Sequence, residues 1–258
     1  MALLTEERYN VILELLYRQD VVRVNDLSSR FDVSIETIRR DLKYLEEQNL
    51  LRRVHGGAVP AEHSPEPSRR EERQVIHWEE KLELGETACR LVQEGQVITM
   101  DASTTNHAAA IALKQRFRRL TVITNYLPIV NELSQNTEFT LLIPGGVLRH
   151  GEMSIVGPMA EENMDALHAD VGFISISGIS FSGGLTDFGL GEIAVKKKIM
   201  KNSTVNYVLA DSSKFERNSM IKIASLNEVD GIVTDSKLPE AVEEKYRKAG
   251  VSILRKRP

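Results

Sequence analysis

The sequence predicts an α/β domain on a mainly parallel sheet, preceded by a small winged helix-turn-helix domain. Three observations lead there. From Gln96 onward short β-rich runs alternate with helical patterns; helical patterns joined by a tight turn occupy residues 22–41; and a stretch with three prolines in nine residues, 60–68, lies between the two regions. The 258 residues, 41% of them hydrophobic, are enough for two cores. The expected boundaries are 1–59 for the first domain, 60–74 for a linker and 75–258 for the second domain.

In the first domain the third helical pattern carries the most information. Ser34 is placed to cap it, and Ile38, Leu42 and Leu45 fall within about 60° of one another as a buried stripe. Glu36, Arg40 and Lys43 project roughly opposite, with Arg39 on the flank. The basic residues therefore lie on the exposed face of the helix's first half, the part of a recognition helix that enters a major groove. An arginine there pairs bidentately with guanine or holds a phosphate; Thr37 can touch a thymine methyl, and Glu36 can accept from a cytosine amino group. The shorter helix before it is expected to take Asn25 as its cap and to turn Leu27 and Phe31 inward. After Asn49, two short strands closing on a Gly-containing turn would form a wing over 50–59, with Arg52, Arg53 and His55 aimed at the phosphate backbone. A solvated charged helix followed by an ordinary hairpin also fits this periodicity. Net charge does not separate the two readings, because residues 1–59 hold nine Lys/Arg against ten Asp/Glu. DNA binding requires that the basic side chains be sorted onto one face.

In the second domain a charged helical stretch over about 69–92 includes the single Trp78, for packing or a subunit contact. Strands are expected at 97–101, 120–124, 139–143, 171–176, 205–210, 231–234 and 251–254, with connections long enough for helical crossovers. Ligands of such sheets bind outside the carboxyl ends of the strands. The segments found there are Asp101 to Asn106 with Ser103, Thr104 and Thr105, then Thr124-Asn125, Gly145-Gly146 with Arg149, Gly178, and Asp211 to Lys214. Hydroxyls and amides at helix starts, glycines that admit close backbone approach, and one or two cations suit a small phosphorylated polyol. Glu192 and Lys196, at i and i+4, form an expected ion pair that can border the same pocket.

Two families of residues then carry a resemblance. Val33-Ser34, Thr37 to Leu42, Leu45 and Arg53-Val54-His55-Gly56-Gly57-Ala58, in that order within 5–59, closely resemble the DNA-binding domain of the DeoR family of bacterial transcriptional regulators. Asp101 with Thr104-Thr105, Ile123-Thr124-Asn125, Pro144-Gly145-Gly146 with Arg149, Gly178-Ile179 and Asp211 to Phe215 are similar to that family's C-terminal sensor domain over about 75–255. The resemblance implies that the Arg-Arg helix reads an operator and that 50–59 is the wing. It implies a sensor fold similar to ribose-5-phosphate isomerase, binding a phosphorylated sugar or related metabolite that changes operator affinity. The family usually has Gly where this chain has Ser103, whose side chain narrows the loop or adds a hydroxyl contact.

The rival expectation is a sugar-phosphate isomerase-like enzyme with an appended DNA-binding domain, for which Asp101, Asp187, Glu192 and Lys214 are available. Binding without turnover is the more economical reading beside an operator-reading domain. A constitutive DNA-binding protein, indifferent to ligands, is a third. Gly189-Leu190-Gly191-Glu192-Ile193-Ala194 fits the dinucleotide pattern formally, but it is read as following a loop rather than a strand. The six histidines lack ligand spacing, and the lone Cys89 excludes a multi-cysteine zinc site or an internal disulfide framework, so neither metal nor cofactor is expected. No apolar run reaches the roughly 18 residues of a membrane span, and residues 1–10 lack a secretory pattern. A cytoplasmic protein is expected, acting as a dimer or tetramer because one recognition helix makes too small an interface for tight specific binding.

Overall fold

The computed structural model describes residues 5–19, 21–47, 51–54, 56–59 and 70–256. They fall into two compact units that divide between positions 68 and 69.

The first unit runs α1 (Thr5–Gln19), β1 (Val22–Arg23), α2 (Val24–Phe31), α3 (Ile35–Glu47), β2 (Arg52–Val54) and β3 (Gly57–Val59). Its core joins Ile12 and Leu16 of α1 to Leu27 and Phe31 of α2 and to Ile38, Leu42 and Leu45 of α3. The three strands form an antiparallel sheet in the order β1-β3-β2. This sheet corrects the expected cap of α2: the helix starts at Val24 after an extended Arg23, and Asn25 lies inside its first turn. Strand pairing of Val22 with Ala58, and a bond from the Val24 amide to the Gly56 carbonyl (2.9 Å), fix where the helix can begin. The turn into α3 uses Asp32 in the left-handed conformation (φ 51°), which short polar side chains tolerate better than most. Ser28 Oγ donates to the Val33 carbonyl across it (2.6 Å), and Ser34 Oγ accepts from the Thr37 amide (3.1 Å), capping α3 as expected.

Asp41 sits on the recognition helix but faces inward. It is buried, and Arg8 of α1 binds both of its oxygens, Nε at 2.8 Å and Nη2 at 3.1 Å. The pair locks α1 to α3.

The second unit opens with α4 (Arg70–Val75) and α5 (Trp78–Ala88), then β4 (Val97–Met100), α6 (Thr104–Arg116), β5 (Thr121–Thr124), α7 (Leu127–Leu133), β6 (Thr140–Leu142), β7 (Val147–Arg149), β8 (Ser154–Val156) and α8 (Pro158–Asp165). It continues with β9 (Ala169–Ser175), β10 (Gly178–Ser180), β11 (Gly184–Asp187), α9 (Leu190–Lys201), β12 (Ser203–Leu209), β13 (Ile221–Ala224), β14 (Gly231–Val233), α10 (Glu240–Lys248) and β15 (Ile253–Leu254). Residues 60–69 of the expected linker lie outside the described residues, whereas 70–74 belong to α4.

Seven strands make one fully parallel sheet in the order β15-β14-β12-β9-β4-β5-β6, and each matches an expected run to within one or two residues. Alternation along β9 places Val171 and Phe173 in a core with Leu84, Ala109 and Leu113, and Ile174 in another with Ile193, Ile199 and Tyr246. Both faces are thus covered by helices, as a parallel sheet requires. Two small additions were not read from the sequence: the hairpin β7-β8 and an antiparallel sheet β10-β11-β13. The segment read as a loop before Gly189 therefore contains a strand, β11, although it lies outside the parallel sheet.

Asp41→Ala is expected to leave the Arg8 guanidinium buried without its carboxylate and to destabilise the first unit by about 3 kcal/mol. Urea unfolding of the full chain, followed by circular dichroism, measures it.

Candidate functional site

The parallel sheet starts at β4, steps outward to β5 and β6, and returns to β9 on the other side of β4. The crevice between the carboxyl ends of β4 and β9 is a topological switch point, where doubly wound sheets bind ligands. Asp101 directly follows β4 and Ser175 ends β9, and the two meet: Asp101 accepts from the Ser175 amide (3.1 Å) and hydroxyl (2.8 Å). Asn106, fully buried in α6, donates to Asp101 and to the Phe173 carbonyl (3.0 Å).

Lys196 of α9 completes the floor. Its ammonium lies 2.8 Å from Asp101 Oδ2, pairs with Asp187 at the end of β11, and donates to the Ser175 carbonyl (2.6 Å). Asp187 also accepts from Ser177 Oγ (2.7 Å) and the Phe188 amide (2.9 Å). All three charges are buried. Burial disfavours the Lys196 charge, but the two carboxylates outweigh it and hold the ammonium above its usual range. Burial pushes the Asp101 carboxyl up; it acts the same way on Asp187, where Lys196 and the hydrogen bonds prevail and hold the group below the ordinary range. The expected i, i+4 pair of Glu192 with Lys196 does not form. Glu192 instead takes Arg149 Nη1 (2.6 Å) and the Ser154 hydroxyl, because α9 turns Lys196 down to the sheet and Glu192 toward the β7-β8 hairpin.

Around this floor the remaining sequence-selected residues divide into two groups. Thr124 is wholly buried, donating to the Met100 carbonyl (2.7 Å) and so clasping β5 to β4. Gly178 begins β10, also buried. The rim is made by others. Ser103 caps α6 by accepting from the Asn106 amide (2.9 Å), and its backbone is extended (φ −162°), so no glycine is needed there. Thr104 and Thr105 follow in the first turn, both buried. Asn125 donates to the Ile155 carbonyl (3.0 Å), and its Oδ1 is buried with no hydrogen-bond partner among the described residues, as is Asp211 Oδ2. The Gly145 amide donates to Asn163 Oδ1 (2.8 Å). Gly146 (φ 149°) lies against β8, where a Cβ would stand 2.7 Å from the Val156 carbonyl oxygen. Lys214 closes a short turn after β12.

Sequence reading missed Arg73, Lys81 and the role of Lys196. Lys81 of α5 is buried, with Nζ donating to the Ile76 carbonyl (2.8 Å), to Thr104 Oγ1 (3.1 Å) and to the Arg73 carbonyl. Burial lowers its pKa to about 8; Asp211 pulls upward, and Lys214 and Arg73 push down further. No motif marks a lysine inside a charged helix, and its partners lie 5, 8 and 23 residues away.

In the first unit Glu36, Arg39, Arg40 and Lys43 are exposed along one face of α3. Thr37 is half-buried, its hydroxyl 2.9 Å from Ser34 Oγ. Arg52 and Arg53 are exposed on β2 of the hairpin. Glu46 reaches this wing: it accepts from Arg53 Nε (2.6 Å) and from the Arg53 amide (2.8 Å), fixing β2 to α3. His55 lies outside the described residues.

Residues 8–64 match the profile of a DeoR-like helix-turn-helix domain, and residues 76–236 match the DeoR C terminal sensor domain. The chain belongs to the DeoR family. It is 34% identical to the HTH-type transcriptional regulator GolR of Listeria innocua over 96% of this chain and 97% of that one. It is 35% identical to the glycerol-3-phosphate regulon repressor of Escherichia coli over 92% of this chain and 93% of that one. The ribose 5-phosphate isomerase A of Methanocaldococcus jannaschii shows a partial, distant likeness, with TM-score 0.41 and 20% identity over 54% of this chain and 55% of that one. The chain is thus a DNA-binding transcriptional regulator, with a winged helix-turn-helix and a parallel α/β sensor domain. No described helix is long and apolar enough to cross a membrane.

Two outcomes follow for the sensor domain. Lys196→Ala leaves two buried carboxylates without their cation and is expected to cost about 3–5 kcal/mol in urea unfolding, part of it restored by adding Asp101→Asn and Asp187→Asn. Lys81 loses its proton near pH 8 in the fold but near 10.5 when unfolded. Between these values the unfolded chain binds more protons, so stability from this group rises with pH. Wild type should gain stability relative to Lys81→Met between pH 7.5 and 9.5, read from denaturant midpoints.

Proposed function

We propose that this chain represses a carbohydrate-metabolism operon and is controlled by a phosphorylated sugar or polyol bound at the switch point of its sensor domain. What carries the reading is one chain that joins an exposed Arg39-Arg40 helix face to a sheet edge rimmed by Ser103, Thr104, Thr105, Asn125, Gly145, Gly146, Arg149 and Lys214. The glycerol-3-phosphate regulon repressor, a relative along nearly its whole length, supports a small phosphorylated ligand. Arg39, Arg40 and Lys43, with Thr37 and Glu36, would address base edges and phosphates, and Arg52, Arg53 and His55 the flanking backbone. Arg53 would do so from a position held by Glu46. The protein would act in the cytoplasm as a dimer or tetramer, whose paired heads span two half-sites.

Binding without turnover is favoured over the isomerase alternative because the three carboxylates singled out for that role, Asp101, Asp187 and Glu192, are already engaged. Asp101 and Asp187 share Lys196, and Glu192 holds Arg149. A general base needs a carboxylate free to take a proton from a substrate carbon. The ligand acts on operator affinity only through its differential affinity for two arrangements of the protein.

Gel-shift titration with DNA from upstream of the protein's own gene, with and without a panel of sugar and polyol phosphates, tests this. At least one compound should shift the apparent Kd by about fivefold or more. A complex indifferent to the whole panel would contradict sugar-phosphate control, and turnover of any panel member would establish the enzyme.

A further inference from the structure

The candidate effector site is roofed by α4, the first described element after the segment joining the two units. Its contacts go to the loops that rim the site. The Arg73 carbonyl accepts from Lys81 Nζ and from Thr104 Oγ1 (3.3 Å), at the start of α6. The Arg73 side chain pairs with Glu152 between β7 and β8, and its guanidinium carbon stands 5.4 Å from the centroid of the Phe188 ring, between β11 and α9. The Arg70 side chain hydrogen-bonds to Tyr126, which follows β5. Two residues of one helical turn, Arg70 and Arg73, thus touch four separate segments at the carboxyl edge of the sheet.

These contacts are mostly polar. Val75 is 72% exposed and Ile76 46%, so apolar burial does little to hold the end of this segment. Six residues are also too few to be helical without tertiary support. The position of α4 is therefore set by the rim loops. Glu152 is half-buried, and its partial burial pushes its carboxyl up against the opposing pull of Arg73. A phosphate entering beside it carries more negative charge and three acceptor oxygens, and competes directly for the same guanidinium.

We propose that α4 is the latch that carries occupancy of the effector site to the DNA-binding unit: an anionic ligand among the rim loops exchanges with Glu152 for Arg73 and re-seats α4, and with it the chain leading to the operator-reading helix. The proposal rests on the effector-site reading above. It gives the sensor a route to the heads that needs no change in the parallel sheet. Lys81 becomes the positioning residue of the latch, since its ammonium bridges Thr104 on the rim to the carbonyls of Arg73 and Ile76.

The test is peptide-resolved hydrogen exchange on the full chain, with glycerol 3-phosphate and ribose 5-phosphate as probes, beside calorimetry with the same compounds. If a probe binds, amide exchange over 70–77 should change about fivefold or more; binding that protects only the 101–106 loop and leaves 70–77 unchanged overturns the latch while sparing the effector site. If neither probe binds, Glu152→Gln decides without a ligand. Loosening α4 should raise exchange over 70–77 and shift operator affinity about fivefold. Faster exchange with unaltered operator affinity overturns the proposal, as does unaltered exchange.

Discussion

The sensor domain is organised around one buried ammonium group. Lys196 comes down from α9 between Asp101 just after β4 and Asp187 at the end of β11, and reaches the carbonyl that ends β9. A lone carboxylate at any of these places would be expensive to bury, and two together more so. With the lysine between them, the ends of β4, β9 and β11 must converge on one point. That point is the switch between the two halves of the parallel sheet. The loops that follow these strands are therefore hung from a fixed floor, and only their outer atoms remain to meet a ligand.

The DNA-binding unit depends on arrangement in the same way. Its average charge is slightly acidic, yet the acidic groups are placed where they organise the basic ones. Asp41 turns inward to hold α1 through Arg8, and Glu46 ties the wing strand to α3 through Arg53. Both interactions fix the angle between the elements that would lie in and beside a groove, leaving Arg39, Arg40 and Lys43 exposed on α3.

Much of this was legible in the sequence, for a physical reason. Strands buried on both faces read as short apolar runs, so Val97–Met100 and Thr121–Thr124 stand out against the helical patterns beside them. The stripe of Ile38, Leu42 and Leu45 likewise declares which face of α3 is exposed. What escaped was set by tertiary structure. Gly178–Ser180 and Gly184–Asp187 are three or four residues long and rich in glycine and hydroxyls, so nothing local marks them as strands. Local spacing paired Lys196 with Glu192, whereas its partners come from residues 95 and 9 positions earlier in the chain, at 101 and 187. Asn25 had the right chemistry for a cap, but a strand pairing with Ala58 decided the helix start. Most of the effector-site residues chosen from the sequence lie in segments at the carboxyl edge of the parallel sheet; which of their atoms are already engaged could be known only from the fold.

The central claim is that operator reading and ligand sensing reside in separate side chains of one coupled chain. Operator titrations and calorimetry on Arg40→Ala and Lys214→Ala, with the compound that shifts operator affinity, address it most directly. Arg40→Ala should weaken operator binding by about 5- to 100-fold while leaving ligand affinity unchanged. Lys214→Ala should weaken ligand binding while leaving ligand-free operator affinity unchanged. Loss of both activities in either variant, or full ligand binding by Lys214→Ala, would contradict the assignment.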